Sequence, residues 1–173
     1  MKQLLTAEQI EEGVTRLAAE VSEFYAGKTL TVLGVLNGSI VLVADLIRHL
    51  DLPVRVGVVQ ASSYRGPADE PGPLRVELAM MPDIQGRNVL LVDDIFDTGN
   101  TLSTLLAEIR GAGPTSVRTL VLLRKHGRKA VAMEPDHVGF EIPNEFVVGY
   151  GLDYQDAFRN LPYVAVMEPG DGL

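Results

Sequence analysis

Apolar residues recur along this chain in two rhythms. Ile10, Val14, Leu17, Val21 and Phe24 keep helical spacing. Thr6 and Gln9 in front of them form a capping-box pattern, and Gly27 suits the stop. Residues 30–36 are almost unbroken apolar sequence, as expected of a strand buried on both faces. Asn37-Gly38-Ser39 then reads as a tight turn, and residues 40–50 as a mostly buried helix ending before Pro53. Val54, Val56, Val58 and Val59 predict a strand over 54–64. The Pro/Gly-rich stretch 65–73 follows, with a returning strand over 74–80. Val89 to Val92 form a second short apolar run, and Leu102, Leu105, Leu106 and Ile109 resume helical spacing as far as Gly111 and Gly113-Pro114. Residues 117–123 predict another buried strand, and 137–140, 146–150 and 163–167 shorter ones. This alternation predicts an α/β fold with a mostly parallel central sheet flanked by helices.

The strand at 89–92 runs directly into Asp93 and Asp94, with Asp97-Thr98-Gly99-Asn100-Thr101 opening the next helix. Ligands of open α/β sheets bind where strands end and helices begin, and free amides at a helix start favour an anion. Three carboxylates beside such a cradle repel it, unless a divalent cation or a sugar diol lies between acid and phosphate. The stretch therefore asks for a phosphorylated sugar with a metal. The bland alternative is a solvated turn, since Asp, Thr, Gly and Asn are all turn residues. The turn at 37–39 repeats the strand–turn–helix arrangement and is either a second phosphate-facing loop or a plain connection. The stretch 65–73 is either a passive hairpin tip or a lid. The basic run 124–129 sits at a strand end, where at least one cation has room to turn inward.

Composition narrows the partners. The chain has 173 residues, suited to one domain, with 46% hydrophobic and 22% charged residues. Fifteen basic against 23 acidic residues give a net charge of −8, which argues against nucleic-acid or anionic-membrane binding. There is no cysteine, hence no disulfide scaffold or thiolate chemistry. The start lacks a secretory signal, and the most apolar window, 30–47, is interrupted by Asn37, Gly38, Ser39 and Asp45. A cytoplasmic protein is expected.

Asp97-Thr98-Gly99 is also the short signature of aspartic proteases, but those need two such loops in an all-β fold, and one copy is present here. No glycine-rich dinucleotide loop or P-loop occurs. Residues 92–101 resemble the phosphoribosyl-pyrophosphate (PRPP) signature of type I phosphoribosyltransferases. Leu36-Asn37-Gly38-Ser39, residues 44–48, Ser62-Ser63-Tyr64, Lys125, the stretch 138–154 and Arg159 extend the similarity to the hypoxanthine-guanine branch of that family.

The resemblance implies one phosphoribosyltransferase domain over 1–173, with a small hood from both chain ends and a flexible lid hairpin at about 63–75. It implies purine salvage, in which PRPP and hypoxanthine or guanine give IMP or GMP with Mg2+, in a homodimer or homotetramer. By resemblance Asp93 and Asp94 hold the ribose hydroxyls and, directly or through water, Mg2+. Asp97, Thr98, Gly99, Asn100 and Thr101 bind PRPP, with residues 98–101 cradling its 5′-phosphate. Asp97 acts as general acid/base at purine N7, with a pKa expected to be raised by burial. Asn37, Gly38 and Arg159 face pyrophosphate. Lys125 donates to purine O6, Phe146 stacks on the base, Val147 reads its edge through the backbone, and Asp153 serves the purine site and a second Mg2+. Ser63 and Tyr64 belong to the lid. Two positions depart from the family's habit: Asn37 stands where Lys is common, and Asp93 where Glu is common. A non-catalytic RNA-binding regulator on the same fold and a xanthine-preferring enzyme are the alternatives.

Overall fold

Strand β1 (Lys2–Leu5) leads into helix α1 (Ala7–Phe24), whose start is fixed by reciprocal bonds. The Gln9 amide donates to Thr6 Oγ1 at 3.2 Å, and the Thr6 amide donates to Gln9 Oε1 at 2.9 Å. Ile10, Val14, Leu17, Ala18 and Val21 form the buried face of α1. The structure is a computed structural model that describes residues 1–65 and 71–172.

Strand β2 (Leu30–Leu36) precedes helix α2 (Ile40–His49), strand β3 (Val54–Arg65) and strand β4 (Pro71–Glu77). Strand β5 (Asn88–Phe96) precedes helix α3 (Asn100–Gly111) and strand β6 (Ser116–Lys125). Strands β7 (His137–Ile142), β8 (Val147–Val148) and β9 (Val164–Val166) complete the chain. Six strands form one sheet in the order β4-β3-β2-β5-β6-β7, parallel except for the β3–β4 pair. The chain ends form a second, antiparallel sheet in the order β1-β9-β8.

The unbroken apolar runs are explained by a core on each face of the large sheet. Val32, Leu90, Val92 and Leu122 pack with α1 and α2, whereas Leu33, Val35, Val89 and Leu91 pack with α3. From β2 the chain returns to the sheet at β3, and from β5 it returns on the other side at β6. The crevice between the carboxyl ends of β2 and β5 is therefore the topological switch point, where open α/β sheets take ligands.

Three sequence expectations are corrected. Strand β5 does not stop at Val92: Ile95 and Phe96 continue it, paired with Leu123 and Arg124, so Asp93 and Asp94 lie on a strand rather than in a loop. The strand expected at 74–80 runs over 71–77, because an edge position tolerates the prolines that made 71–73 look irregular. Strand β1 was not expected, since a four-residue strand carries no periodicity of its own. The tip of the expected lid, 66–70, lies outside the described residues. Among the described residues no helix is long and apolar enough to cross a membrane.

Leu91 is fully buried in a strand with neighbours on both sides. Leu91→Ala should cost about 2–5 kcal/mol of unfolding free energy, read from the urea midpoint.

Candidate active site

Pairing Gly34 with Val92 sets the turn after β2 beside Asp93 and Asp94. Pairing Phe96 with Arg124 sets Asp97 beside Lys125. Both helices that start at this edge lack a side-chain cap. Ser39 bonds back to the Val35 carbonyl at 2.7 Å, and Gly99 caps α3 with φ +85°, a conformation that favours glycine. Two helix N-termini thus offer unsatisfied amides at one crevice.

The crevice is a cavity of about 310 Å³. The two turns meet in its wall, through Asn37 and Gly38 from one side and Thr98, Gly99 and Thr101 from the other, with Asp93, Asp94, Asp97, Asp153 and Arg159 around them. Asn100 is exposed and does not line it. A Cβ on Gly38 would stand 1.7 Å from Asp94 Oδ2, so only glycine lets the turn approach this carboxylate. A larger cavity, about 480 Å³, lies behind α2 and shares Arg159, but it contains neither paired acids nor the glycine turns. The chemistry favours the smaller one.

Asp93 is 7% exposed, and its Oδ1 accepts the Asp94 amide at 2.9 Å. Among the described residues neither acid has a salt-bridge partner. Burial pushes the Asp93 carboxyl well above the usual carboxylate range, and the charge of Asp94 adds to it. Burial raises Asp94 as well. Among the described residues no three acids or histidines converge on a ready-made metal cage. Two crowded carboxylates do fit a hard divalent cation that keeps waters and takes its remaining oxygens from a phosphorylated ligand.

Asp97 is in the opposite electrostatic condition. Arg128 Nε donates to its Oδ1 at 2.8 Å, and Lys125 Nζ to its Oδ2 at 3.3 Å. Burial acts to raise this carboxyl, but the Arg128 hydrogen bond and the Lys125 charge outweigh it and hold it below the usual range. The expectation of a raised Asp97 pKa is corrected: the raised acids are Asp93 and Asp94. The basic run, expected to turn at least one cation inward, brings two to Asp97. Sequence reasoning missed Arg128, which differs from its charged neighbours only through the path of its loop.

Arg159 donates to the Gly151 carbonyl at 2.8 Å and pairs with Asp153 at 2.7 Å. Val147 opens β8 of the second sheet with Phe146 just before it, and both lie outside the cavity wall. Phe146 is 53% exposed, hence not a core residue, and meets Tyr154 edge-to-face at 5.9 Å. The Met167 amide donates to the Phe146 carbonyl, which makes Val147–Val166 a non-hydrogen-bonded pair. The N–H and C=O of Val147 consequently point to the open edge of β8. The side chains of Ser63 and Tyr64 lie outside the described residues.

The raised Asp93 pKa carries a sign. The folded state holds this proton more tightly than the unfolded state, so the group costs nothing below about pH 4 and destabilises as pH rises through its raised folded value. Without divalent cations, unfolding free energy should carry a component that falls with rising pH above about 4. Asp93→Asn should remove that component, and urea titrations across pH measure it. Asp97, whose pKa is lowered, acts only below that window.

Residues 1–155 match the family described as phosphoribosyl transferase domain. The hypoxanthine-guanine phosphoribosyltransferase of Lactococcus lactis is 42% identical over 170 residues, covering 97% of this chain and 91% of that protein. The enzyme of the same name from Streptococcus pneumoniae is 40% identical over 167 residues, covering 96% and 93%. A crystal structure of a hypoxanthine-guanine phosphoribosyltransferase from Bacillus anthracis, with HEPES in its active site, matches with a TM-score of 0.91 at 36% identity, covering 97% of this chain and 99% of that one. By sequence and by fold, the chain belongs to the phosphoribosyl transferase domain family.

Proposed function

We propose that the cavity between β2 and β5 transfers a 5-phosphoribosyl group from PRPP to N9 of hypoxanthine or guanine, releasing pyrophosphate and forming IMP or GMP. The observation that carries this reading is the buried Asp93–Asp94 pair flanked by two uncapped helix N-termini. The names of the relatives support the same acceptor.

The amides at residues 98–101 hold the 5′-phosphate, with the hydroxyls of Thr98 and Thr101 beside it. Asp93 and Asp94 accept from the ribose hydroxyls, and the 37–38 turn and Arg159 face the pyrophosphate. Mg2+ is the cation that suits this donor set: Asp93 and Asp94 would hold one ion, directly or through water, and Asp153 would reach a second, and when bound they would offset the charge on acids and pyrophosphate. Lys125 donates to purine O6, a preference for 6-oxo over 6-amino bases because an ammonium only donates. Val147 offers its free edge to the base, with Phe146 stacked on the base and Asp153 at its rim. As the N9–C1′ bond forms and the C1′–oxygen bond to pyrophosphate breaks, the proton on N7 becomes acidic and passes to the Asp97 carboxylate. Arg128 and Lys125 keep Asp97 ionised, the form that accepts a proton.

The test is formation of IMP from hypoxanthine, PRPP and Mg2+ by the purified chain. Asp97→Asn should lower kcat about 10²- to 10⁴-fold while PRPP still binds. Failure of the wild-type chain to convert any 6-oxopurine would overturn the reading.

Asn37 leaves the pyrophosphate turn with backbone donors but no cation. Asn37→Lys should tighten PRPP binding about ten-fold, the worth of one hydrogen bond to a charged group. Titration calorimetry measures it, and an unchanged Kd counts against the placement of pyrophosphate.

A further inference from the structure

Both oxygens of the Asp97 carboxylate are occupied, and by cations of different standing. Lys125, on β6, is wanted by purine O6 in the function proposed above, and an ammonium drawn toward the base holds Oδ2 less firmly than before. Arg128 holds Oδ1 from the loop after β6, and that loop is docked on the signature turn by two further contacts. The Ala130 amide donates to the Thr98 carbonyl at 2.9 Å. Val131 Cγ2 lies 2.5 Å from where a Gly99 Cβ would be, closing over the start of α3. Arg128 is thus not a loose surface arginine, although its side chain is 46% exposed. Its bond is the shorter of the two, 2.8 against 3.3 Å, and no role in the proposed chemistry draws it away.

We infer that Arg128 is a positioning residue: it keeps its bond to Oδ1 while Lys125 exchanges Oδ2 for purine O6, so that Oδ2 is left aimed at N7. The inference rests on the proposed function and names what orients the proton acceptor. Besides Arg128, the charged groups around Asp97 are Lys125 from β6, Asp93 and Asp94 from β5, and the Asp153–Arg159 pair across the cavity. Removing Arg128 leaves the carboxylate free to rotate and weakens the field that keeps it ionised. A small displacement of a reacting group is enough to cost about 100-fold in rate.

Steady-state rates at saturating Mg2+, with the base and PRPP varied in turn, test this across pH for wild type, Arg128→Ala, Arg128→Met and Arg128→Lys, with Lys129→Ala as control. Lys129 belongs to the same basic run but pairs with Glu134. Arg128→Ala should lower kcat about 10- to 100-fold. It should shift the acid limb of kcat/KM for the base to higher pH and leave KM for PRPP unchanged. Arg128→Met keeps an unbranched stem without a donor and should behave the same, so a folding defect in the alanine variant does not decide the matter. Arg128→Lys should recover part of kcat, and Lys129→Ala should match wild type. A wild-type kcat and an unmoved acid limb in both Arg128→Ala and Arg128→Met would overturn the inference. So would equal losses in all three Arg128 variants with no change in pH profile, which assign the loop a purely structural role. A wild-type chain that makes no nucleotide overturns the proposed function itself, whereas an active wild type with silent Arg128 variants overturns only the positioning role.

Discussion

Two neighbouring carboxylates at the buried end of β5 set the terms for the rest of the site. Asp93 and Asp94 repel one another where little water can screen them, and among the described residues no cation pairs with either. Around them stand two helix N-termini without side-chain caps, a glycine turn whose missing Cβ makes room for Asp94, and Arg159. Each supplies positive potential or access, and none neutralises the pair. Such a pair favours a cation or a row of hydroxyl donors, and the free amides of the helix ends favour an anion beside it.

Asp97 lies a few residues further on and meets the reverse condition, because the strand has ended and the basic loop folds over it. Burial raises the Asp93–Asp94 pair, while Arg128 and Lys125 lower Asp97. Carboxylates whose environments push their pKa values apart divide the work between them. The buried pair suits a ligand that brings positive charge, and the ionised rim acid suits a proton. This division does not follow from residue type, since all three are aspartates.

The strands, the helices and the turn where β5 gives way to α3 were legible because they rest on local signals. Apolar runs marked β2, β5 and β6, and Thr6 with Gln9 marked the start of α1 through a contact three residues long. What was not legible depends on partners distant in sequence. Strand β1 exists because β9 lies beside it, and four residues of pattern do not announce that. Asp93 and Asp94 looked like loop residues because two acids seldom sit in a buried strand, yet pairing with β6 carries the strand through to Phe96. The lowered Asp97 pKa needed the path of a loop that returns to Thr98 through Ala130, and nothing in the basic run singles out Arg128 from its neighbours. The resemblance supplied the remaining roles, those of Phe146, Val147 and Asp153 above all, which periodicity does not reach.

The hydrophobic pattern alone would not fix this site. Sliding β5 past β2 by two residues keeps every apolar side chain on its own face, because the side-chain period of a strand is two. It would also carry the acids about 7 Å from the 37–39 turn, enough to dismantle the crevice. The observed register is held by contacts a slipped sheet could not make. Gly38 abuts Asp94 at one end of the β2–β5 pair and Asn88 Nδ2 donates to the Thr29 carbonyl at the other at 3.1 Å, while on the β6 side Asp97 reaches Lys125 only where Phe96 faces Arg124. The polar residues of the site therefore specify the alignment that creates it. Core packing fixes which faces are inside, and the site residues fix which of the permitted registers is adopted.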